Sequence, residues 1–360
     1  MTRWPIYVEM FEDESISSWL IRCALENGCD PLVLTSVLWP KWRVWTTDID
    51  RGIPYERQEV ISSLSGIKLQ AIQQAALNHE VGLLSSVDLP KHGVWPWVQG
   101  LGARNRRYRY SLQFCPCCFS EDTKPYFRRH WRFSWNTGCL LHNVRLLDRC
   151  IQCLKPIEPQ RLEAMQSIRL SDCASCGFDL RGSPSSKVLL DAQAFQKKAF
   201  SNMRTATAEI AGEVIGVEEW FRVCRHLVGL IRRSVNRPES TLSIALNESG
   251  CNIQNITPES LTLQFELLPV SVRENLLSCL EQLLCNLKPF AKNLKERGVL
   301  VSGVLGSGKD IPDALSFLTE QLKQMETLRG LKRQKNLRKP KSKTSVLKAW
   351  ARLKRKYGIE

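Results

Sequence analysis

Cys115-Pro-Cys-Cys118, Cys139-Leu-Leu-His142, Cys150-Ile-Gln-Cys153 and Cys173-Ala-Ser-Cys176 are four pairs of soft ligands, each pair separated by two residues. That gap lets both side chains of one tight turn reach a single ion. Eight ligands suffice for two tetrahedral sites. Chain order assigns Cys115, Cys118, Cys139 and His142 to one, and Cys150, Cys153, Cys173 and Cys176 to the other. Twenty residues separate the halves of the first site and nineteen those of the second, close to zinc-ribbon spacing. The expected cofactor is Zn2+, two per chain. Its role is structural, because a catalytic zinc keeps an open coordination position and these sets leave none. Cys117 lies inside the first turn rather than at a flank and is left out. The competing account is disulfides or separately buried thiols. The chain opens Met1-Thr-Arg-Trp-Pro5 with no apolar leader, which fits a reducing compartment where thiols bind metal. Cys23, Cys29, Cys224 and Cys279 are scattered and read as core residues.

Around this centre, 360 residues accommodate about two to three domains. No run of about 18 apolar residues is present, so no membrane span is expected. The net charge of +15 and pI near 9.3 point to a polyanionic partner. From Arg329 onward, thirteen Lys or Arg face one acid, Glu360, so the tail holds most of the excess.

Upstream, Asp13-Glu-Ser15 reads as a helix cap, with Ile16, Trp19, Leu20, Cys23 and Ala24 at helical spacing. Asn27-Gly28 stops that helix and Asp30-Pro31 opens another. The outline is a helix-turn-helix, or equally a plain αα-hairpin. Trp39, Trp42 and Trp45 read as core, and residues 54–64 and 68–78 as two further helices. Arg104, Arg106, Arg107 and Arg109 alternate with Tyr108 and Tyr110 on an expected strand, a pattern suited to phosphate contact and stacking or to a charged sheet edge. Arg128, Arg129 and Arg132 flank His130 and Trp131 between the halves of the first site. They join the candidate nucleic-acid contacts, while His130 reads as a satisfied polar residue.

Downstream, residues 187–234 return to helix, with a stripe of Val214, Val217, Trp220, Phe221, Cys224, Leu227, Leu230 and Ile231. Residues 235–262 read as a polar linker, and 271–287 and 314–328 as helices. Gly303-Val-Leu-Gly-Ser-Gly308-Lys309-Asp310 approaches a phosphate-binding loop, but Asp310 replaces the Ser or Thr that holds magnesium; it reads as a Gly/Ser loop. The tail supplies further candidate contacts in Lys332, Arg333, Lys335, Arg338 and Lys339, and in Lys354, Arg355 and Lys356 of an expected basic amphipathic helix over 345–357.

The wording between the ligands, FCPCCFSEDTKPYFRRHWRFSWNTGCLLHNVRLLDRC followed by CASCGFDL, resembles the TniQ/TnsD family of transposition target selectors. DESISSWLIRCALENG and TTDID also resemble that family's first domain, and the resemblance covers about residues 1–182. It implies an N-terminal helix-turn-helix domain and a double zinc-finger module in a bacterial, cytoplasmic protein that does not cut DNA. It further implies a linking role between a target-recognising element and an AAA+ transposition regulator (TnsC-like). Some members of the family read a DNA site themselves; others dimerise on a CRISPR Cascade ribonucleoprotein. The expected fold is mainly α with small zinc-ribbon β elements: a helix-turn-helix domain over 1–90, a double zinc-finger module over 91–186, a C-terminal helical domain over 187–330 and a basic tail over 331–360. No catalytic constellation stands out, so no enzyme is expected. A zinc-ribbon transcription or repair factor is the alternative.

Overall fold

Ser15 leaves the helical region with its hydroxyl accepting the Ser18 amide, and α1 (Ile16–Glu26) starts there. The stripe Ile16, Trp19, Leu20, Cys23 and Ala24 is fully buried. Gly28 adopts φ +70°, a left-handed turn that costs glycine little. α2 (Pro31–Leu38) follows with Pro31 in its first turn. Asp30 precedes α2 without capping it: its carboxylate instead accepts the amide of Ala164 at 2.7 Å. The sequence of α2, PLVLTSVL, contains no Arg, Lys, Asn or Gln, and Leu32, Val33 and Val37 face outward.

The computed structural model describes residues 3–85, 93–100, 112–166, 169–258, 263–305, 311–320, 322 and 342–357, the side chains of 79 and 355–357 excepted. The expected strand with Arg104, Arg106, Arg107 and Arg109 therefore lies outside the described residues. So do Lys309 and the tail residues Lys332, Arg333, Lys335, Arg338 and Lys339.

α3 (Tyr55–Ser65) matches the first expected helix of its pair and ends at Gly66 in the left-handed region. The second, expected over 68–78, is helical only over α4 (Leu69–Gln74), and a further short helix, α5 (Asn78–Gly82), begins where it was expected to end. Trp39 is buried with α1–α4, and Trp42 and Trp45 pack half-buried against the same core. The central region has little regular structure: α6 (Pro116–Glu121) and the two-residue strands β1 (Gly138–Cys139) and β2 (Val144–Arg145), paired antiparallel. Phe114, Phe119, Phe127 and Trp131 form its core together with Ile21 and Leu25 of α1.

α7 (Leu190–Thr205) leads into a hairpin, β3 (Thr207–Ile210) and β4 (Glu213–Gly216), and then α8 (Val217–Val235). The hairpin corrects the continuous helical reading of this region. Val214 sits on β4, 78% exposed, whereas the rest of the stripe, Val217 to Ile231, is buried on α8. Residues 235–262 are not a linker: α9 (Thr241–Glu248) buries Leu242, Ala245 and Leu246, and Cys251, Ile253 and Ile256 follow into the same core. α10 (Val270–Cys285) packs along α7 and α8, and α11 (Leu287–Glu296) against α9. α12 (Val301–Leu305) and α13 (Phe317–Glu320) complete this layer. The fold is mainly helical.

Residues 1–323 form one compact unit and 324–360 a second. α14 (Lys343–Tyr357) belongs to the second, with Val346, Leu347, Trp350 and Leu353 exposed along it. Among the described residues, no helix is long and apolar enough to cross a membrane.

Candidate metal centres

The eight expected ligands converge as two groups, Cys115, Cys118, Cys139 with His142, and Cys150, Cys153, Cys173 with Cys176. Within each, the ligand atoms lie within 4.8 Å of one another. In the first group, Cys118 Sγ is 3.5 Å from Cys139 Sγ, and His142 Nδ1 is 3.4 Å from both Cys118 and Cys139 and 3.5 Å from Cys115. In the second, the Cys150–Cys176 and Cys153–Cys173 sulfurs are each 3.7 Å apart. A tetrahedral zinc with its usual bond lengths would set sulfurs about 3.8 Å apart and a sulfur–nitrogen pair about 3.5 Å apart. The donor sets fit a tetrahedral cation, and Cys117 stands outside both.

Local backbone chemistry builds each half-site. Cys115 caps α6 with Pro116 in its first turn, and its sulfur accepts the Cys118 amide at 3.5 Å. Cys139 lies on β1, and Asn143, at φ +55°, turns the chain back so that His142 faces the sulfurs. In the second group, the Leu154 amide donates to Cys150 O at 2.9 Å and the Gly177 amide to Cys173 O at 2.8 Å. Both turn residues have positive φ, +58° and +72°. The two knuckles of the second site are thus the same turn made twice.

Sequence reading missed Glu121, the last residue of α6. Its Oε2 is 2.9 Å from Nε2 of His142. A proton on Nε2 leaves Nδ1 unprotonated and aimed at the three sulfurs, the carboxylate–histidine arrangement that orients metal-bound imidazoles. The signal available in sequence was an acid one helical turn after the first knuckle. Crowding also polarises the thiols. Hydrogen bonding with Cys115 pushes Cys118 well above the usual thiol range. Thiols of Cys115 and Cys118 donating to Cys139 hold it well below that range. Three thiolates together need a cation between them, and protons leave as the metal enters.

The two sites differ in shielding. Cys115, Cys118 and Cys139 are buried, whereas Cys153 is half-buried and Cys176 exposed. Cys23, Cys224 and Cys279 are buried away from both sites, and Cys29 is half-buried.

The arginines between the halves of the first site are corrected by their surroundings. Arg132 is 1% exposed. Its guanidinium donates to Asp48 at 2.7 and 3.1 Å, to Asp50, and to Gln99 O at 2.5 Å. Asp50 in turn accepts the amide and hydroxyl of Ser17, at 2.6 and 2.9 Å. Arg128, also buried, pairs with Asp122 at 2.8 Å and lies over the Tyr126 and Trp131 rings. Both are consumed inside the fold and cannot reach a phosphate. Arg129 pairs with Glu80 at 3.1 Å. His130 packs edge-on against Trp131 and Phe200, outside the metal group. Of the tail candidates, Lys354 lies on α14 and is half-exposed; the side chains of Arg355 and Lys356 are outside the described residues.

These contacts fasten the N-terminal stretch DESISSWLIR to the PYFRRHWR stretch. Ser15 donates its amide to Phe127 O at 3.0 Å, and the Phe127 amide donates to the Ser18 hydroxyl at 2.9 Å. Glu14 is held by Arg22 at 2.8 Å and by Ser18 at 2.7 Å. No curated protein matches the chain. Residues 5–146 match the family model described as TniQ, a segment spanning both of these stretches and all four ligands of the first centre. Residues 5–146 of the chain are a TniQ domain.

Proposed function

We propose that this protein is a target-selection adaptor of transposition. It connects an element that recognises target DNA, either a CRISPR effector ribonucleoprotein or a DNA site read by the chain itself, to an AAA+ regulator and through it to the transposase. It performs no covalent chemistry. Both metal centres hold Zn2+ and shape the docking surface, with no coordination position left for a substrate.

The observation that carries this reading is the TniQ match over residues 5–146. Three features support it. Four ligands per site suit a structural ion. The outward Leu32, Val33 and Val37 of α2 suit a protein partner better than a base-pair edge. The basic tail suits nucleic acid.

The experiment is reconstitution of insertion with and without the chain, using the transposase and AAA+ regulator of the same element. The chain is expected to bind the regulator and to concentrate insertions at one site. An unchanged insertion distribution in its absence would refute the adaptor role. Retention of a Cascade-type complex against a direct gel shift on DNA separates the two targeting modes.

A further inference from the structure

A cleft of about 680 Å3 opens between the end of α8, the start of α9 and the segment from Gly298 into α12. Its polar lining is Arg233, Asn236, Arg237, Ser240, Thr241 and Ser302, and among the described residues neither Asp nor Glu lines it. Arg233 differs from the buried arginines that the fold pairs directly with acids. Arg132, Arg128 and Arg22 each face a carboxylate. Arg233 is half-buried, and its contacts are two backbone carbonyls, Gly303 O at 3.3 Å and Val304 O at 3.4 Å. Burial alone pulls its guanidinium below the usual range, with no acid to offset it. Arg237 is exposed at the rim.

A partly desolvated cation without a counter-charge is costly to a fold, and an anion entering the cleft would offset that cost. Planar guanidinium forks match the tetrahedral oxygens of phosphate better than they match a lone carbonyl. The hydroxyls of Thr241 and Ser302 add donors suited to phosphate oxygens. Among the described residues the cleft wall has no aromatic ring on which a base could stack, so recognition would fall on phosphate rather than on base identity. We propose that Arg233 and Arg237 form a phosphate-binding site in the C-terminal helical layer. The phosphate comes from a nucleic-acid backbone or from a free phosphate compound. The site shares no residue with the metal centres, and it does not depend on the adaptor role.

The test uses the full-length chain and the variants Arg237→Gln, Arg233→Gln/Arg237→Gln and Arg233→Lys/Arg237→Lys. Duplex DNA of unrelated sequences is titrated across a salt series. In parallel, thermal shifts are read with inorganic phosphate and with a nucleoside triphosphate. If backbone phosphates occupy the cleft, each lost arginine should lower the log–log salt slope by about one, and the double Lys variant should keep most of the affinity. If a free phosphate compound is the ligand, the parent should be stabilised by phosphate or the triphosphate. The Gln variants should then lose that shift while DNA affinity stays unchanged. The exposed Arg237→Gln variant keeps the test valid if Arg233→Gln disturbs folding. Arg237→Gln chains that melt like the parent and leave both the salt slope and the phosphate shift unchanged would overturn the proposal.

Discussion

Arg132 Nη2 lies 2.7 Å from Asp48 Oδ2, both side chains almost wholly buried. This pair joins a short turn between the halves of the first metal site to the TTDID stretch after α2, and Asp50 extends the link to Ser17 at the start of α1. Arg128 and Arg132, which look in sequence like part of a basic DNA-contacting run, are therefore internal, and Arg132 clamps the N-terminal helices to the metal module.

Removing one partner of such a buried pair leaves the other charge uncompensated, which costs about 3–5 kcal/mol. Arg132→Ala is expected to lose that much stability, read as a lower denaturation midpoint. Lys124→Ala, which breaks the exposed ion pair with Glu26, should cost no more than about 1 kcal/mol. Equal shifts in the two variants would contradict the clamp.

Metal content should be near two ions per chain, and chelation should unfold the central module. Cys139→Ser should lower the content by one ion and destabilise the fold. Cys117→Ser, outside the ligand group, should do neither. Because Cys176 is exposed and the first site is buried, a chelator should empty the second site faster. Single-phase release of both ions would contradict this difference in shielding.

Glu121→Gln should weaken metal at the first site by about 10- to 100-fold, the usual cost of losing a partner that orients a ligating histidine. The second site should be unaffected. The measurement is competition with a chromogenic chelator, resolved by comparison with Cys139→Ser.

Proton competition gives the sign of the pH dependence. Crowding raises the thiol of Cys118, so in the metal-free state it holds its proton through neutral pH, and metal binding must expel it. Affinity should therefore rise with pH and fall steadily on acidification. A competition titration repeated from about pH 8 down to about pH 6 checks this, and a flat profile would speak against thiolate ligation.

Deleting residues 332–360 removes most of the excess positive charge. Nucleic-acid affinity of the shortened chain should fall, and its dependence on salt should flatten, because fewer counterions are displaced. An unchanged salt slope would show that the tail does not contact nucleic acid.

Much of this protein is written locally. The ligand pairs, the α1 stripe, the Gly28 turn and the apolar face of α8 follow from spacings of two, three and four residues. Those spacings decide which side chains share a turn or a helix face whatever the rest of the chain does. The hairpin 207–216 and the packed segment 241–256 escaped that reading, because short elements with polar faces are set by what they pack on rather than by their own propensity.

The sequence by itself determined the four ligand pairs, since two-residue gaps fix which side chains of one turn can share an ion, and the fold joins those pairs two and two. Only the tertiary structure decided what the arginines do. Arg128 and Arg132 carry the same charge as Arg237 and sit in a sequence just as basic. A local turn brings Asp122 to Arg128, long-range folding brings Asp48 and Asp50 to Arg132, and among the described residues no acid lines the cleft around Arg233 and Arg237. A guanidinium's role depends on where its counter-charge lies, and for Arg132 that is settled by residues more than eighty positions away.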